Sequence, residues 1–362
     1  MPFPSLTTTL LALLAPLILY ILSHHLTLKP KPAPKPAPKP PNLPRKTVLI
    51  TGCSSHSTGA ALAHAFHSTG YTVFATLRSP SRIPSSLTSL PHMHILTLDV
   101  TVQSSVDAAV AAVEALVGDA GLDVLVNSAG VMLGGPGLDV EIEERGKECF
   151  EVCVWGVLRV TQGFSGLLVK AGEGGGMGKE GGRGRATVVN LGSVVGEIWF
   201  VYQPIYAAAK AALHTLSESL RLELRPLSIN VLTVVVGAIS SNLQANQPPY
   251  QHRPSSFYAP VSSYIKDFVE HVVPHTETPI DDFAAQIVAD VEAGRSGKVW
   301  RGQGVWLIWV LRSFVWGGIV DWMFSALKGM GELRRVREEE RGGVRRGVGL
   351  GERAEEWLKM LA

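Results

Sequence analysis

From Lys46 to about Arg301 short β-branched runs alternate with longer helical stretches, and this alternation restricts the fold more than any other feature. Strands that alternate with helices can lie parallel in one sheet, because each crossover helix carries the chain back to the same end. The runs predict strands at Thr47–Thr51, Thr72–Leu77, His94–Leu98, Leu122–Asn127, Ala186–Leu191 and Ile229–Val236. Helices are expected near Ala60–Ser68, Ser105–Val117, Glu143–Leu168 and Ile205–Leu224. That order predicts an α/β fold with a right-handed, doubly wound parallel sheet. Ligands in such sheets sit beyond the carboxyl ends of the strands, so the loops there carry the chemistry.

The first 45 residues read differently. Leu6 to Leu28 is uncharged and rich in leucine. As a helix at ~1.5 Å per residue it would cross the ~30 Å core of a bilayer. Its length and the lack of a basic segment before it favour a transmembrane anchor (1–28) over a cleaved signal peptide. All nearby positive charge follows it, which predicts a single-pass protein with its main domain in the cytosol. Residues 29–45 form a Lys/Pro-rich linker, expected to be an extended polyproline spacer whose lysines can attract anionic headgroups.

Charge and cysteine content exclude several classes. Net charge is only +2, and no Asp or Glu precedes Asp99. No aromatic residues interleave the N-terminal lysines, so a nucleic-acid partner is not expected. The three cysteines, Cys53, Cys149 and Cys153, have no framework spacing, which fits a reducing compartment. None of the eleven histidines falls in a metal-ligand pattern, and no metal is expected.

The chemistry gathers at strand ends. The first strand runs into Thr51-Gly52-Cys53-Ser54-Ser55-His56-Ser57-Thr58-Gly59 and then a helix. A glycine-bearing turn of this kind offers backbone N–H groups and a helix N-terminus to a pyrophosphate. Arg78 follows the second strand, where an arginine accommodates the 2′-phosphate of NADP and a carboxylate would select NAD. Ser193 follows the fifth strand, and Tyr206 and Lys210 stand one helical turn apart thirteen residues further on. An i, i+4 pair shares a helix face, where the ammonium can lower the phenol pKa. A phenol so placed can exchange a proton with a substrate oxygen held by a serine hydroxyl.

Together these motifs resemble the short-chain dehydrogenase/reductase family, over about Lys46 to Arg301 (the 46–301 domain). The resemblance implies a Rossmann-type sheet and hydride transfer to or from NADPH/NADP+. It implies catalytic roles for Ser193, Tyr206 and Lys210, with Tyr206 as acid and Lys210 as pKa tuner and ribose ligand. It also implies cofactor contacts from Gly52, Ser54, Ser55, Thr58, Gly59, Arg78, Asp99, Val100, Asn127, Ala129, Gly130, Tyr206, Lys210, Gly237, Ile239 and Ser241. Several positions depart from the family pattern, among them Ser128 in place of the second asparagine of Asn-Asn-Ala-Gly. His56 and Ser57 replace loop glycines and would be strained at φ > 0. Cys153 replaces an asparagine of the proton relay, and Val236 replaces a proline. No base for a nucleophilic Cys153 is evident in the sequence.

Two insertions are expected, a disordered Gly-rich loop at 170–185 and a mobile substrate lid at 237–279. A Trp-rich apolar segment (302–330) and a charged Arg/Glu/Gly tail (331–362) end the chain. The segment suits an interfacial hairpin or a helix capping the fold. Trp-Arg-Gly before it, with Thr-Gly-Cys-Ser-Ser in the loop, is similar to fungal NADPH-dependent 1-acyldihydroxyacetone-phosphate reductases. That similarity implies a lipidic ketone or aldehyde substrate at endoplasmic-reticulum or lipid-droplet membranes, with retinol and steroid dehydrogenases as the alternative. A homodimer is implied by the family, and a tethered NADPH-binding protein with weak catalysis is the rival reading.

Overall fold

The computed structural model describes residues 45–174, 186–247, 249–270, 277–326 and 329–340. The expected anchor and most of the linker and tail lie outside the described residues.

Seven parallel strands form one sheet in the order β3-β2-β1-β4-β5-β6-β7. They are β1 (Thr47–Thr51), β2 (Thr72–Leu77), β3 (Met93–Thr97), β4 (Val124–Asn127), β5 (Ala186–Leu191), β6 (Ile229–Val236) and β7 (Gly297–Arg301). The chain winds outward from β1 through β3, then returns to build the other half from β4. The switch point between β1 and β4 is where a doubly wound sheet opens its ligand crevice. Four predicted strands match residue for residue, β3 is shifted by one and β4 starts two residues later than expected. Strand β7 is not among the expected strands, and Trp300, just before the apolar segment, pairs with Val235 inside it.

Alternate side chains of the strands reach opposite faces, as the two-residue strand period requires. Val48 and Ile50 pack with α1 (Thr58–Ser68) and α6 (Ile280–Glu292) through Leu62, Phe66, Phe283 and Ile287. Leu49 and Phe74 pack on the other face with α2 (Gln103–Val117) and α3 (Ile142–Gly174) through Val106, Val113, Val160 and Phe164. Because both faces are covered, the strands can be apolar throughout, which is why they were legible.

Helix α3 contains wider, π-type turns at Ile142–Gly146 and Glu151–Trp155. It is long and apolar enough to cross a membrane, yet more than half of its most apolar stretch is buried within the fold, as a core helix is. It runs on to Gly174, so the first five residues of the expected Gly-rich loop are helical, while 175–185 lie outside the described residues. The expected lid contains α5 (Ser262–Glu270), which the sequence did not foretell. After α4 (Pro204–Leu224) and β7, three helices follow: α7 (Val305–Phe314), α8 (Gly317–Ala326) and α9 (Met330–Glu340). At ten residues each, α7 and α8 are too short to span a bilayer.

Candidate active site

The turn after β1 is built around residues that nothing larger could replace. Gly52 has φ +80°, and a Cβ there would stand 2.9 Å from Ala129 Cα. On Gly59 a Cβ would come within 2.6 Å of the Gly52 carbonyl oxygen. These close approaches bring the first turn of α1 against β1, leaving its N-terminal N–H groups facing the crevice. Of the two substituted positions, only His56 needs the left-handed region, with φ +57°. Ser57 is extended (φ −88°, ψ 158°) and caps α1, its Oγ accepting from Ala60 N at 3.1 Å and donating to the Gly52 carbonyl at 2.8 Å. The expected strain at Ser57 is therefore absent, because the turn uses it as an N-cap.

Ser55 N–H donates to the Arg82 carbonyl at 3.0 Å, joining the turn to the segment after β2. Arg78 at the end of β2 is exposed. Asn242, unremarked in the sequence, closes over the turn from beyond β6: its side chain donates to the Ser55 carbonyl at 2.7 Å and its N–H to that of His56 at 3.2 Å. The cradle, the capped helix and the accessible arginine fit a phosphorylated dinucleotide. Ser54 and Ser55 lie in the turn, with Thr58 and Gly59 at the start of α1.

Across the switch point the residues after β4 are held by Thr51, whose Oγ1 accepts from the N–H groups of Ser128 and Ala129, both at 3.0 Å. Asn127, expected to meet the cofactor, is instead buried, donating to Asn190 Oδ1 at 2.9 Å and Thr161 Oγ1 at 3.2 Å. Its amide braces β4 against β5 and α3. Gly130 lies beside the Lys210 ammonium. Asp99 and Val100 follow β3 rather than ending it. Asp99 Oδ1 caps a turn at Thr101, and the Val100 side chain is buried against Gly156 with its carbonyl accepting from Arg159. Gly237 follows β6 under Gln303, whose carbonyl oxygen a Cβ would meet at 2.3 Å. Ile239 bridges to Thr278, and the Ser241 N–H donates to the Ile239 carbonyl at 2.8 Å.

The three residues expected to be catalytic lie together. Ser193 follows β5 in extended conformation, its Oγ accepting from the Val195 N–H at 3.4 Å, and its hydroxyl lies near Tyr206 on the first turn of α4. Lys210, one turn on, donates from Nζ to the Leu191 carbonyl at 2.8 Å. The phenol departs from the sequence-based expectation: burial, with the neighbouring thiols Cys153 and Cys149, pushes its pKa well above the usual value, and the nearby Ser193 hydroxyl only partly opposes this. A phenol in this state is protonated at neutral pH and can act as an acid. Cys153 is fully buried in the second π-type turn, packed with Tyr206 and donating to the Val131 carbonyl at 3.5 Å. The neighbouring Cys149 thiol lowers its pKa, burial opposes this, and the Lys210 charge lowers it further. Complete burial keeps substrate away from its sulfur.

Two further residues stand behind the triplet and were missed. His214, on the same face of α4 as Tyr206 and Lys210, takes the Ser193 N–H on Nε2 at 3.2 Å. Its Nδ1 is 2.9 Å from Oε1 of Glu197, a buried carboxylate. The eight-residue spacing from Tyr206 to His214 was the one signal available in the sequence.

Comparison with known proteins agrees with this geometry. The short chain dehydrogenase family model matches residues 46–251. Short-chain dehydrogenase ptmH of Penicillium ochrochloron is 37% identical over 275 residues, covering 75% of this chain and 95% of its own. Short-chain dehydrogenase RED1 of Pyricularia oryzae is 33% identical over 286 residues, covering 77% and 93%. A short-chain dehydrogenase structure from Streptomyces avermitilis superposes with TM-score 0.62 at 27% identity, covering 83% of this chain and 99% of its own. One from Burkholderia cenocepacia, in complex with NADP, gives TM-score 0.56 at 20% identity, covering 75% and 94%, and shares the fold. The chain belongs to the short-chain dehydrogenase family, oxidoreductases that act on CH–OH and C=O groups.

Proposed function

We propose that this protein is a membrane-anchored reductase that uses NADPH to convert a lipidic ketone or aldehyde to the alcohol. The observation that carries the reading is the grouping of Ser193, Tyr206 and Lys210 beyond β5, at the same end of the parallel sheet as the glycine-built turn after β1. When bound, NADPH supplies the hydride. Ser193 holds the substrate oxygen, and the protonated Tyr206 gives its proton to that oxygen as negative charge develops there. Lys210, fixed against Leu191, lends its positive charge to the phenolate left behind and lies where a ribose hydroxyl can be held. Arg78, exposed at the end of β2, supports NADPH over NADH by charge-assisted contact with a 2′-phosphate.

An apolar substrate is favoured by the surface beside the triplet. Trp306 and Phe314 on α7, Trp316 between the two helices and Ile319 on α8 are exposed. Trp199, six residues beyond Ser193, joins them and donates to Asp321 Oδ1 at 2.8 Å. Exposed aromatic residues at this density suit a membrane interface. The Leu6–Leu28 stretch would tether the domain on the cytosolic side of the endoplasmic reticulum or a lipid droplet. Within the lipid ketones, 1-acyldihydroxyacetone phosphate reduced to 1-acyl-glycerol 3-phosphate is the substrate proposed, with retinoids and steroids as the competing class.

A second reading, an NADPH-binding protein with weak catalysis, is favoured by Cys153 at the relay position and His56 in the left-handed region. Purified full-length protein with NADPH and a panel of acyl dihydroxyacetone phosphates, steroid ketones and retinal separates the two. Turnover of a panel member supports the reductase and names its class. Binding of NADPH without any turnover supports the second reading.

A further inference from the structure

Behind Ser193 lies a buried polar assembly that the hydride-transfer chemistry does not use. Glu197 and His214 are both buried, their side chains 1% and 3% exposed. The Ser193 N–H points at His214 Nε2, 3.2 Å away, so that nitrogen is an acceptor and the ring proton belongs on Nδ1. Nδ1 in turn stands 2.9 Å from Glu197 Oε1, although the N–H is not well aligned with that oxygen. Two cations from other elements meet the same carboxylate, Lys298 of β7 at Oε1 and Arg312 of α7 at Oε2.

The chain around Ser193 is shaped to this imidazole. A Cβ on Gly192 would fall 2.0 Å from His214 Nε2, and one on Gly196 would fall 2.9 Å from its Cε1. Gly192 is therefore required by the ring, and Gly196 by the ring together with the α4 backbone at Lys210 and Ala211, which its Cβ would meet at 2.7 and 2.9 Å. Gly192 is also tied to β6 through the Val234 carbonyl at 2.8 Å. The segment is thus held at Gly192 by the sheet and at Ser193 by His214. The rotation of the Ser193 backbone decides where its hydroxyl points.

We propose that His214 and Glu197 are positioning residues for the reduction, holding the Ser193 N–H so that its hydroxyl meets Tyr206 and the substrate oxygen. The proposal rests on the reductase reading for its catalytic part, whereas the contact itself does not. Glu197 fixes the tautomer of His214, as a carboxylate does for an imidazole that must accept at its far nitrogen. Protonating His214 would place an N–H against the Ser193 N–H and release the segment. The charged groups facing His214 are Glu197 from the Ser193 segment, Lys298 from β7, Arg312 from α7 through Glu197, and Lys210 and Glu218 from its own helix. A cleft of about 300 Å³ lined by His214, Glu218, Arg221 and Lys298 gives protons a route to it.

The test compares His214→Leu, His214→Gln and Glu197→Gln in the full-length protein. Hydrogen exchange of the Ser193 amide is read by mass spectrometry, and NADPH-dependent reduction of phenanthrenequinone is read in parallel. Leucine offers no acceptor, so Ser193 exchange should accelerate and kcat should fall about 10-fold or more, with the NADPH KM little changed. Glutamine can present its carbonyl where Nε2 was, and it should restore both readouts most of the way. Glu197→Gln keeps the shape but removes the charge that favours imidazolium, so the acid limb of kcat should move to lower pH. Unchanged exchange in His214→Leu, equal losses in the leucine and glutamine variants, or an unmoved acid limb would each overturn the proposal. If the wild type binds NADPH yet reduces no carbonyl, the reductase reading fails, and Ser193 exchange still decides whether the contact exists.

Discussion

The ammonium of Lys210 stands 5.7 Å from the centroid of the Tyr206 ring, and its proton donation goes to the Leu191 carbonyl. The two groups share a helix face, as their spacing requires, but burial is the main cause that raises the phenol's pKa. Tyr206 is held in its acid form. Tyr206→Phe removes that proton with little change of shape. Turnover should fall about 10²- to 10⁴-fold while NADPH affinity, followed by fluorescence titration, changes little. Near-normal kcat in the phenylalanine variant would refute the assignment.

Arg78 is the cation at the end of β2, where the ribose of a bound dinucleotide would lie. Arg78→Asp should lower kcat/KM for NADPH and raise it for NADH, reversing the preference. The measurement is the ratio of the two constants with one carbonyl substrate. An unchanged ratio would show that Arg78 is only a solvated loop residue.

Ser57 and His56 sit side by side with different consequences. Ser57→Ala deletes the cap on Ala60 and the bond to Gly52, and should destabilise the fold by about 1 kcal/mol and weaken NADPH binding. At His56, φ +57° is least tolerable for a β-branched side chain. His56→Val should lose about 1–2 kcal/mol, whereas His56→Gly should stay close to wild type. Denaturant melts of the three variants check the order. Equal stability of the valine and glycine forms would contradict the backbone argument.

Glu197 and His214 both make the fold sensitive to acid. Burial alone would raise the Glu197 pKa, but His214 and Lys298 more than offset it and lower it to about 2, against 4.5 for a free glutamate. Burial likewise lowers His214 below 6.5, with Glu197 only partly opposing it. In both cases the unfolded chain binds the proton more readily, so stability rises with pH. The carboxylate's contribution is complete above pH 4.5 and is lost as pH falls towards about 2. That of His214 is complete above pH 6.5 and is lost as pH falls through its lower folded value. Thermal melts across this range should therefore decline on acidification, and more steeply for wild type than for Glu197→Gln. Parallel curves would remove Glu197 from the account.

The alternation of apolar strands and amphipathic helices made the sheet legible, because a strand covered on both faces must be apolar along its length. Motif spacing placed Ser193, Tyr206, Lys210 and the glycine turn for a related reason: backbone close approach and helical period act over a few residues. Strand β7 escaped because its run, Gly297-Lys298-Val299-Trp300-Arg301, carries two cations whose partners, Glu197 and Asp290, are distant in sequence. Asn127 and Asn242 show the same limit. Whether a residue faces a ligand or the core depends on which elements pack over it, and only the folded chain decides that.

By itself, then, the sequence determined the parallel sheet, the identities at the strand ends and the spacing of Ser193, Tyr206 and Lys210, all set by local period and local sterics. The tertiary structure decided that Tyr206 is kept protonated by burial, that Ser57 caps a helix while His56 bears the strain, and that His214 and Glu197 stand behind Ser193. Those facts depend on desolvation and on contacts between elements far apart in the chain, which no local pattern encodes.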